Sequence, residues 1–64
     1  MKTEFEVSFR KNGIHQARII VAKSKDFAKR WFRFIEPKAV VLGIGENYDY
    51  NPGKPVEEVS DDWN

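Results

Sequence analysis

A chain of 64 residues that is 41% hydrophobic, 14% aromatic and free of cysteine has room for one small domain and excludes a disulfide scaffold. A formal net charge of +1, together with these aromatics, is not the composition of a disordered chain. No apolar run has the length of a membrane span and residues 1–4 lack the apolar stretch of a signal peptide, so we expect a cytoplasmic globular protein with no membrane partner.

Residues 3–22 have the pattern of a β-hairpin. In residues 3–10 every second residue is apolar or β-branched, and the alternation resumes in residues 14–22. A period of two with apolar residues on one side is typical of half-buried strands. The intervening Lys11-Asn12-Gly13 is a turn sequence, so the two strands are expected to pair as neighbours.

The register of this hairpin depends on its turn. A two-residue Asn12-Gly13 turn opposes Glu6 with Ile19 and sets apolar against polar residues on both faces. A three-residue loop over residues 11–13, with Gly13 at positive φ, instead opposes Glu6 with Arg18 as a favourable ion pair. We therefore predict the three-residue loop.

Residues 25–35 have the pattern of an amphipathic helix. Ser24 can cap its N-terminus, Asp26 complements the helix dipole, and Pro37 ends the element at Glu36. At about 100° per residue, the apolar residues form a stripe along one side of the helix, and lysine and arginine residues occupy the opposite side. Phe32 falls at the edge of the stripe. The residues of the stripe are Phe27, Ala28, Trp31, Phe34 and Ile35.

Residues 39–46 predict a third strand with a thin side at Gly43 and Gly45. A right-handed crossover through the helix places this strand beside the first. We therefore predict an α+β domain over residues 1–46: a three-stranded antiparallel ββαβ sheet of order 2-1-3 with one helix on one face. The expected core is Phe5, Val7, Phe9, Ala17, Ile19, Val21, Phe27, Trp31, Phe34, Ile35, Val40, Leu42 and Ile44.

Residues 47–64 form an acidic, aromatic tail. Its first part is rich in turn-forming residues, while residues 55–63 could form a helical turn or stay mobile. The tail could also fold back on the sheet and cover the two strand glycines, since so small a domain gains from added cover or from dimerisation. The residues available for that cover are Tyr48, Tyr50, Val56 and Trp63.

Residues that carry chemistry are sparse. His15 is the only histidine, so the usual zinc ligands cannot be assembled without cysteine. Asp49, Asn51 and Gly53 lack the spacing and the distal glutamate of a calcium loop. The segment 43–45 has two glycines of a dinucleotide-binding loop but neither the third glycine nor a βαβ unit. We therefore predict a non-enzymatic protein with no catalytic residue, no metal site and no cofactor.

Charge is segregated along the chain. Residues 23–38 contain six basic and two acidic residues, whereas the residues after 38 contain one basic and six acidic. A basic helix face can neutralise phosphates, and its candidate nucleic-acid contacts are Lys25, Lys29, Arg30, Arg33 and Lys38. A solvated helix face explains the same pattern, the net charge is near zero, and the acidic tail could compete for the same helix.

Aromatic rings within the acidic tail predict a protein contact. The candidate partner-binding residues are Tyr48, Tyr50, Glu57, Glu58, Asp61, Asp62 and Trp63. In this interpretation the carboxylates meet a basic surface and the rings supply buried area; alternatively, the rings complete the small fold. The open edge of the second strand could also pair with a second copy of the chain, which would give a homodimer.

Residues 21–28 (VAKSKDFA), entered from a hairpin and left through Pro37 into an apolar strand, resemble the strand–Ser–helix junction of short β-hairpin–helix–strand proteins of bacteriophages and mobile elements. Phage-encoded inhibitors of host RNA polymerase are similar in size and layout. The resemblance covers about residues 3–46 and implies an accessory or inhibitory protein, although the helix here is more basic. We expect a protein that binds and occludes a host protein, plausibly one that handles nucleic acid; nucleic-acid binding by the helix and a structural homodimer are the alternatives.

Overall fold

The computed structural model describes residues 2–47, 56–60 and 62. Its elements in chain order are β1 (Thr3–Lys11), β2 (Ile14–Ala22), α1 (Lys25–Ile35), β3 (Val40–Glu46) and β4 (Val56–Glu58). The strands form one sheet of order β3-β1-β2-β4, in which β1 is antiparallel to β2 and β3 while β4 is parallel to β2. The α+β class and the 2-1-3 arrangement of the first three strands are confirmed. The prediction of three antiparallel strands is wrong, because a fourth strand joins β2 in parallel.

The turn between β1 and β2 has two residues and not three. Asn12 and Gly13 both have positive φ, 54° and 77°, as a two-residue hairpin turn of type I′ requires. Lys11 consequently pairs with Ile14 and the rest of the hairpin follows that register. The predicted positive φ at Gly13 is confirmed, but the predicted three-residue loop is wrong.

Arg18 is the physical reason for the wrong register. The prediction placed Arg18 on the face away from the helix, opposite Glu6, whereas it lies opposite Val7 on the helix face. Its guanidinium reaches the rim of the core and donates to the carboxylates of Glu36 and Glu57. Because these acids satisfy the guanidinium, an arginine can occupy a position that the alternation pattern reserves for an apolar side chain.

The core lies between the sheet and α1. Its buried residues are Phe5, Val7, Phe9, Ile20, Ala22, Phe27, Ala28, Phe32 and Val59, with Trp31, Ile35, Ala39, Val41 and Ile44 packed against them. β2 contributes Ile20 and Ala22, and the predicted Ala17, Ile19 and Val21 lie on the opposite face, because the shorter turn shifts the strand by one residue. Ile19 is nevertheless buried, on the face away from α1.

β3 contributes a different set of residues from the one predicted. Its register with β1 shifts after Ser8, so that Leu42 is the extra residue of a β-bulge. Ile44 packs against the core as predicted, but Val40 and Leu42 are exposed and Val41 is the partly buried residue instead. The bulge interrupts the alternation, and the sequence pattern alone carries no sign of that interruption.

α1 begins and ends where the sequence predicts. The N–H of Phe27 donates to the Oγ of Ser24 at 3.1 Å, so Ser24 is the N-cap. At the other end, the N–H of Glu36 donates to the carbonyl oxygen of Phe32 at 2.9 Å before Pro37 follows. Hydrogen bonds therefore define both ends of the helix, and the residues on its outer face are carried by an ordered backbone.

The buried face of α1 is rotated from the predicted stripe. Phe32 is completely buried, with its ring centroid 4.7 Å from that of Phe9, whereas Phe34 is 66% exposed. In projection, Phe32 lies about 40° beyond Ala28 and Phe34 about 20° beyond Phe27, so the periodicity fits either ring. The prediction of Phe34 in the core is wrong because the helix packs Phe32 against Phe9, which leaves Phe34 at the exposed edge of its apolar stripe.

Part of the tail joins the sheet. β4 pairs with Ile19–Val21 of β2, and the N–H of the following Val59 donates to the carbonyl oxygen of Val21 at 2.8 Å. A strand therefore stands at 56–58, where a helical turn was one prediction, and it covers part of the β2 edge that was expected to be open. Val56 lies beside β2 and not over the glycines of β3. The cover predicted from Tyr48, Tyr50 and Trp63 falls outside the described residues.

Candidate functional site

The outer side of α1 displays a row of cations. Lys25, Lys29 and Arg33 follow one another at intervals of four residues, which places them about 6 Å apart along the helix axis on one side. Lys25 and Arg33 are exposed and Lys29 is half-buried. Together with the exposed Arg30 and Lys38, they form what we call the cationic face. The helix carries four of the five predicted nucleic-acid contacts, and the fifth, Lys38, is an exposed residue after its end.

The ion pairs of the described residues lie elsewhere. They join Lys2 to Glu58 at 2.7 Å, Lys11 to Glu36 at 2.7 Å, Arg18 to Glu36 at 3.3 Å and Arg18 to Glu57 at 3.4 Å. Within residues 2–47, 56–60 and 62, no carboxylate lies within 4 Å of a charged nitrogen of the cationic face. The cations of this face therefore form no ion pair with the described carboxylates, and Asp26 is the acid that shares the exposed side of the helix with them.

Two cations converge on one ring at the start of α1. The Nζ of Lys23 lies 4.5 Å from the ring centroid of Phe27, and the guanidinium carbon of Arg30 lies 5.7 Å from the same centroid. Phe27 itself is only 4% exposed, so its ring is fixed in the core. The attraction of the ring for cations therefore favours the positions of both side chains, of which Arg30 belongs to the cationic face.

Glu36 is the acid that could have neutralised the C-terminal end of α1. It instead turns toward the sheet, where a hydrogen bond from the Nζ of Lys11 and the guanidinium of Arg18 meet its two oxygens. The hydrogen bond from Lys11 is the main cause of a pKa for Glu36 below its ordinary value, and the charges of Lys11 and Arg18 lower it further against the opposing effect of burial. We call Lys11, Arg18, Glu36 and Glu57 the rim cluster.

The predicted acidic site of the tail is divided by the structure. Glu57 belongs to the rim cluster and Glu58 pairs with Lys2, so neither carboxylate approaches the cationic face. Asp62 is exposed, and its N–H donates to the Oγ of Ser60 at 3.2 Å. The remaining members of that predicted site, Tyr48, Tyr50, Asp61 and Trp63, lie outside the described residues.

Phe34 is a surface residue that the sequence pattern placed in the core. Its ring centroid lies 6.0 Å from that of the half-buried Trp31, with 35° between the ring planes. Arg30 precedes it by one helical turn and Arg33 is its neighbour in sequence, so an exposed ring borders the cationic face. The sequence carries one sign of this exposure: Phe34 lies at the edge of the apolar stripe of α1 that adjoins the basic residues, in the segment Arg30–Phe34 (RWFRF).

Other kinds of site find no support in the part of the chain that the structure describes. No group of three histidine, aspartate or glutamate side chains there is arranged to hold a metal ion. His15 is exposed at the end of the hairpin, beside Arg10. Among the same residues, no helix combines the length and the apolar composition needed to cross a membrane.

Comparisons of the chain with models of protein families, with curated proteins and with solved structures give no match. The resemblance to phage and mobile-element proteins therefore stays a prediction from the pattern of residues 3–46.

Proposed function

We propose that this protein is a non-enzymatic accessory protein that binds nucleic acid by holding phosphate groups on the cationic face of α1. One observation carries the proposal: the cations of this face form no ion pair with the described carboxylates, whereas Glu57 and Glu58 of the acidic tail are engaged with Arg18 and Lys2. Because these two carboxylates contact cations of the sheet, they are less available to a basic partner protein or to the cations of the helix.

The spacing of the cations suits a polymer of regularly spaced charges. Lys25, Lys29 and Arg33 present three charges along about 12 Å of helix, and the exposed Arg30 of the same helix and Lys38 after its end add two more. Each phosphate neutralised by such a cation releases condensed counterions. The logarithm of the binding constant therefore falls with the logarithm of the salt concentration, with a slope of about −0.7 to −0.9 for each contact. Contacts from three to five cations therefore predict a slope of about −2 to −4.5.

The rigidity of α1 adds to the proposal. The Ser24 cap and the buried Phe32 fix the helix on the sheet, so the backbone that carries these cations is ordered before a ligand binds. A ligand that uses several of them at once therefore loses little freedom of the protein backbone on binding.

Fluorescence anisotropy with labelled DNA and RNA oligonucleotides, at several salt concentrations, tests this function. We expect Lys29→Gln combined with Arg33→Gln to weaken binding at least tenfold and to make the salt slope about 1.5 shallower. Arg10→Glu is the matched control, because it changes the net charge by the same amount from the face of the sheet away from α1. Absence of binding at low salt, or an equal loss in the control, contradicts the proposal.

A second candidate is the contact with a basic host protein that the tail predicts. It is supported by exposure along the β4 side of the sheet, where Asp62 is exposed, the side chain of Glu58 is 65% exposed and Val56 is 62% exposed. Removing residues 55–64 is not a clean test, because it takes Val59 from the core. Glu58→Gln with Asp62→Asn is sharper: capture of a protein from nuclease-treated host lysate should be lost, and unchanged capture would remove the candidate.

A further inference from the structure

We propose that the nucleic acid is single-stranded and that Phe34 stacks on one of its unpaired bases. This inference rests on the proposed function of the cationic face and names the class of ligand that the face takes. It is carried by the exposure of one aromatic ring beside that face.

Phe34 is exceptional among the apolar residues of α1. Phe27 and Phe32 are at most 4% exposed and Trp31 and Ile35 are packed against the core, while Phe34 is 66% exposed. The exposed large apolar side chains of the described residues are Ile14, Phe34, Val40, Leu42 and Val56. Phe34 is the aromatic member of that set and the one carried by the helix.

The ring lies at the border of the cationic face. Arg30 precedes Phe34 by four residues, so the two residues are neighbours on one side of the helix, and the Arg30 guanidinium itself lies over the ring of Phe27. The neighbouring Trp31 ring, at 6.0 Å, backs it from the core side. A flat ring bordered by arginines is the combination with which proteins bind single strands, because the cations follow the backbone while the ring takes a base.

The ring also discriminates between ligands. In a duplex the faces of the bases are covered by their neighbours, so a side chain can stack on a base only after a step is unstacked, whereas an unpaired base offers its face without that cost. An acidic polypeptide would satisfy the same cations but offers no planar base to Phe34. Loss of the ring should therefore weaken the binding of single strands and leave the other two ligand classes unchanged.

The test measures binding of the full chain to three labelled probes of matched charge: single-stranded DNA, the corresponding duplex and poly-glutamate. Phe34→Ala should weaken single-strand binding between about 5- and 150-fold, the range measured for loss of one base stack, and change duplex binding less than twofold. Its salt slope should stay that of the parent chain, because the phosphate contacts remain. Phe34→Tyr should keep the affinity, and Leu42→Ala, which shortens an exposed apolar side chain on β3, should change nothing.

Each contrary result has its own meaning. If Phe34→Ala binds single strands as the parent does, with the salt dependence intact, the stacking inference is overturned and the proposed function stands. Equal losses for single strand and duplex also overturn it. If no nucleic acid binds at low salt, the proposed function fails first, and binding of poly-glutamate alone would assign the face to an acidic protein. Circular dichroism and thermal melting of each variant verify that the fold is retained.

Discussion

The rim cluster and the cationic face contain similar side chains in opposite circumstances. In the rim cluster, Lys11 and Arg18 meet carboxylates at 2.7 to 3.4 Å, and Arg18 also lies 5.8 Å from the ring centroid of Phe9. On the cationic face, Lys29 and Arg33 meet none among the described residues. The charge pattern of this chain is therefore divided between ions that join the helix end, β2 and β4 and cations that form no ion pair with the described carboxylates.

The largest expected effect is on stability, from breaking the rim cluster at its centre. Arg18→Met removes the cation shared by Glu36 and Glu57, which leaves Glu36 with Lys11 and takes from Glu57 the cation that it contacts. We expect the free energy of unfolding to fall by about 2 kcal/mol, between the values for buried and exposed pairs, because the Arg18 side chain is 22% exposed. Urea denaturation measures the loss.

The matched variant on the cationic face is Arg33→Met. With no carboxylate near it among the described residues, its loss should change the free energy of unfolding by less than about 0.5 kcal/mol, as at an ordinary surface position. Equal destabilisation by the two variants would contradict the distinction between the two regions.

A smaller effect, dependent on pH, should come from Glu36. Because its pKa in the folded protein is below the ordinary value of 4.5, its contribution is present above that pH and is lost as the pH falls through the lower, folded pKa. Glu36→Gln should therefore be less stable than the parent chain at pH 7, and the difference should shrink steadily below about pH 4.5. Urea midpoints at pH 7, 5, 4 and 3 measure it; a difference independent of pH would show that the carboxylate charge is irrelevant.

The smallest expected effect concerns the exposed pair between Lys2 and Glu58. Its Nζ–Oε2 distance is short, 2.7 Å, but the Glu58 side chain is 65% exposed, so solvent screens the attraction. Glu58→Gln should lower the free energy of unfolding by less than about 0.5 kcal/mol and should do so only at low salt. A loss as large as that of Arg18→Met would mean that distance, and not burial, decides the strength of these pairs.

The sequence predicts those parts of the fold that depend on local chemistry. Ser24 and Pro37 bound the helix, alternation indicates the strands, and the handedness of the crossover places β3 beside β1. The register of the hairpin was not predictable in this way. Placing Arg18 on the core face becomes favourable only once Glu36 and Glu57, far away in the chain, lie beside it.

The candidate site was predicted in part for similar reasons. The basic residues of the cationic face follow from helical periodicity, and the structure places them on the predicted arc. Phe34 could not be told from Phe32 by periodicity, since the contact between Phe32 and Phe9 decides which ring is buried. The tail carboxylates were assigned to a partner because no local pattern shows that β4 brings Glu57 to Arg18.

The parallel pairing of β4 with β2 has a consequence for the order in which this chain folds. The hairpin joins neighbours in sequence, whereas Ile19 pairs with Val56 only after the helix, β3 and the segment beyond them have been traversed. Closing so long a loop costs conformational entropy before any contact forms across it. The pairing of only three residues then contributes little free energy to offset that cost. We therefore expect β4 to dock last and to detach first. The amides that take part in the pairing of β2 with β4 should then exchange their hydrogens faster than those between β1 and its two neighbours.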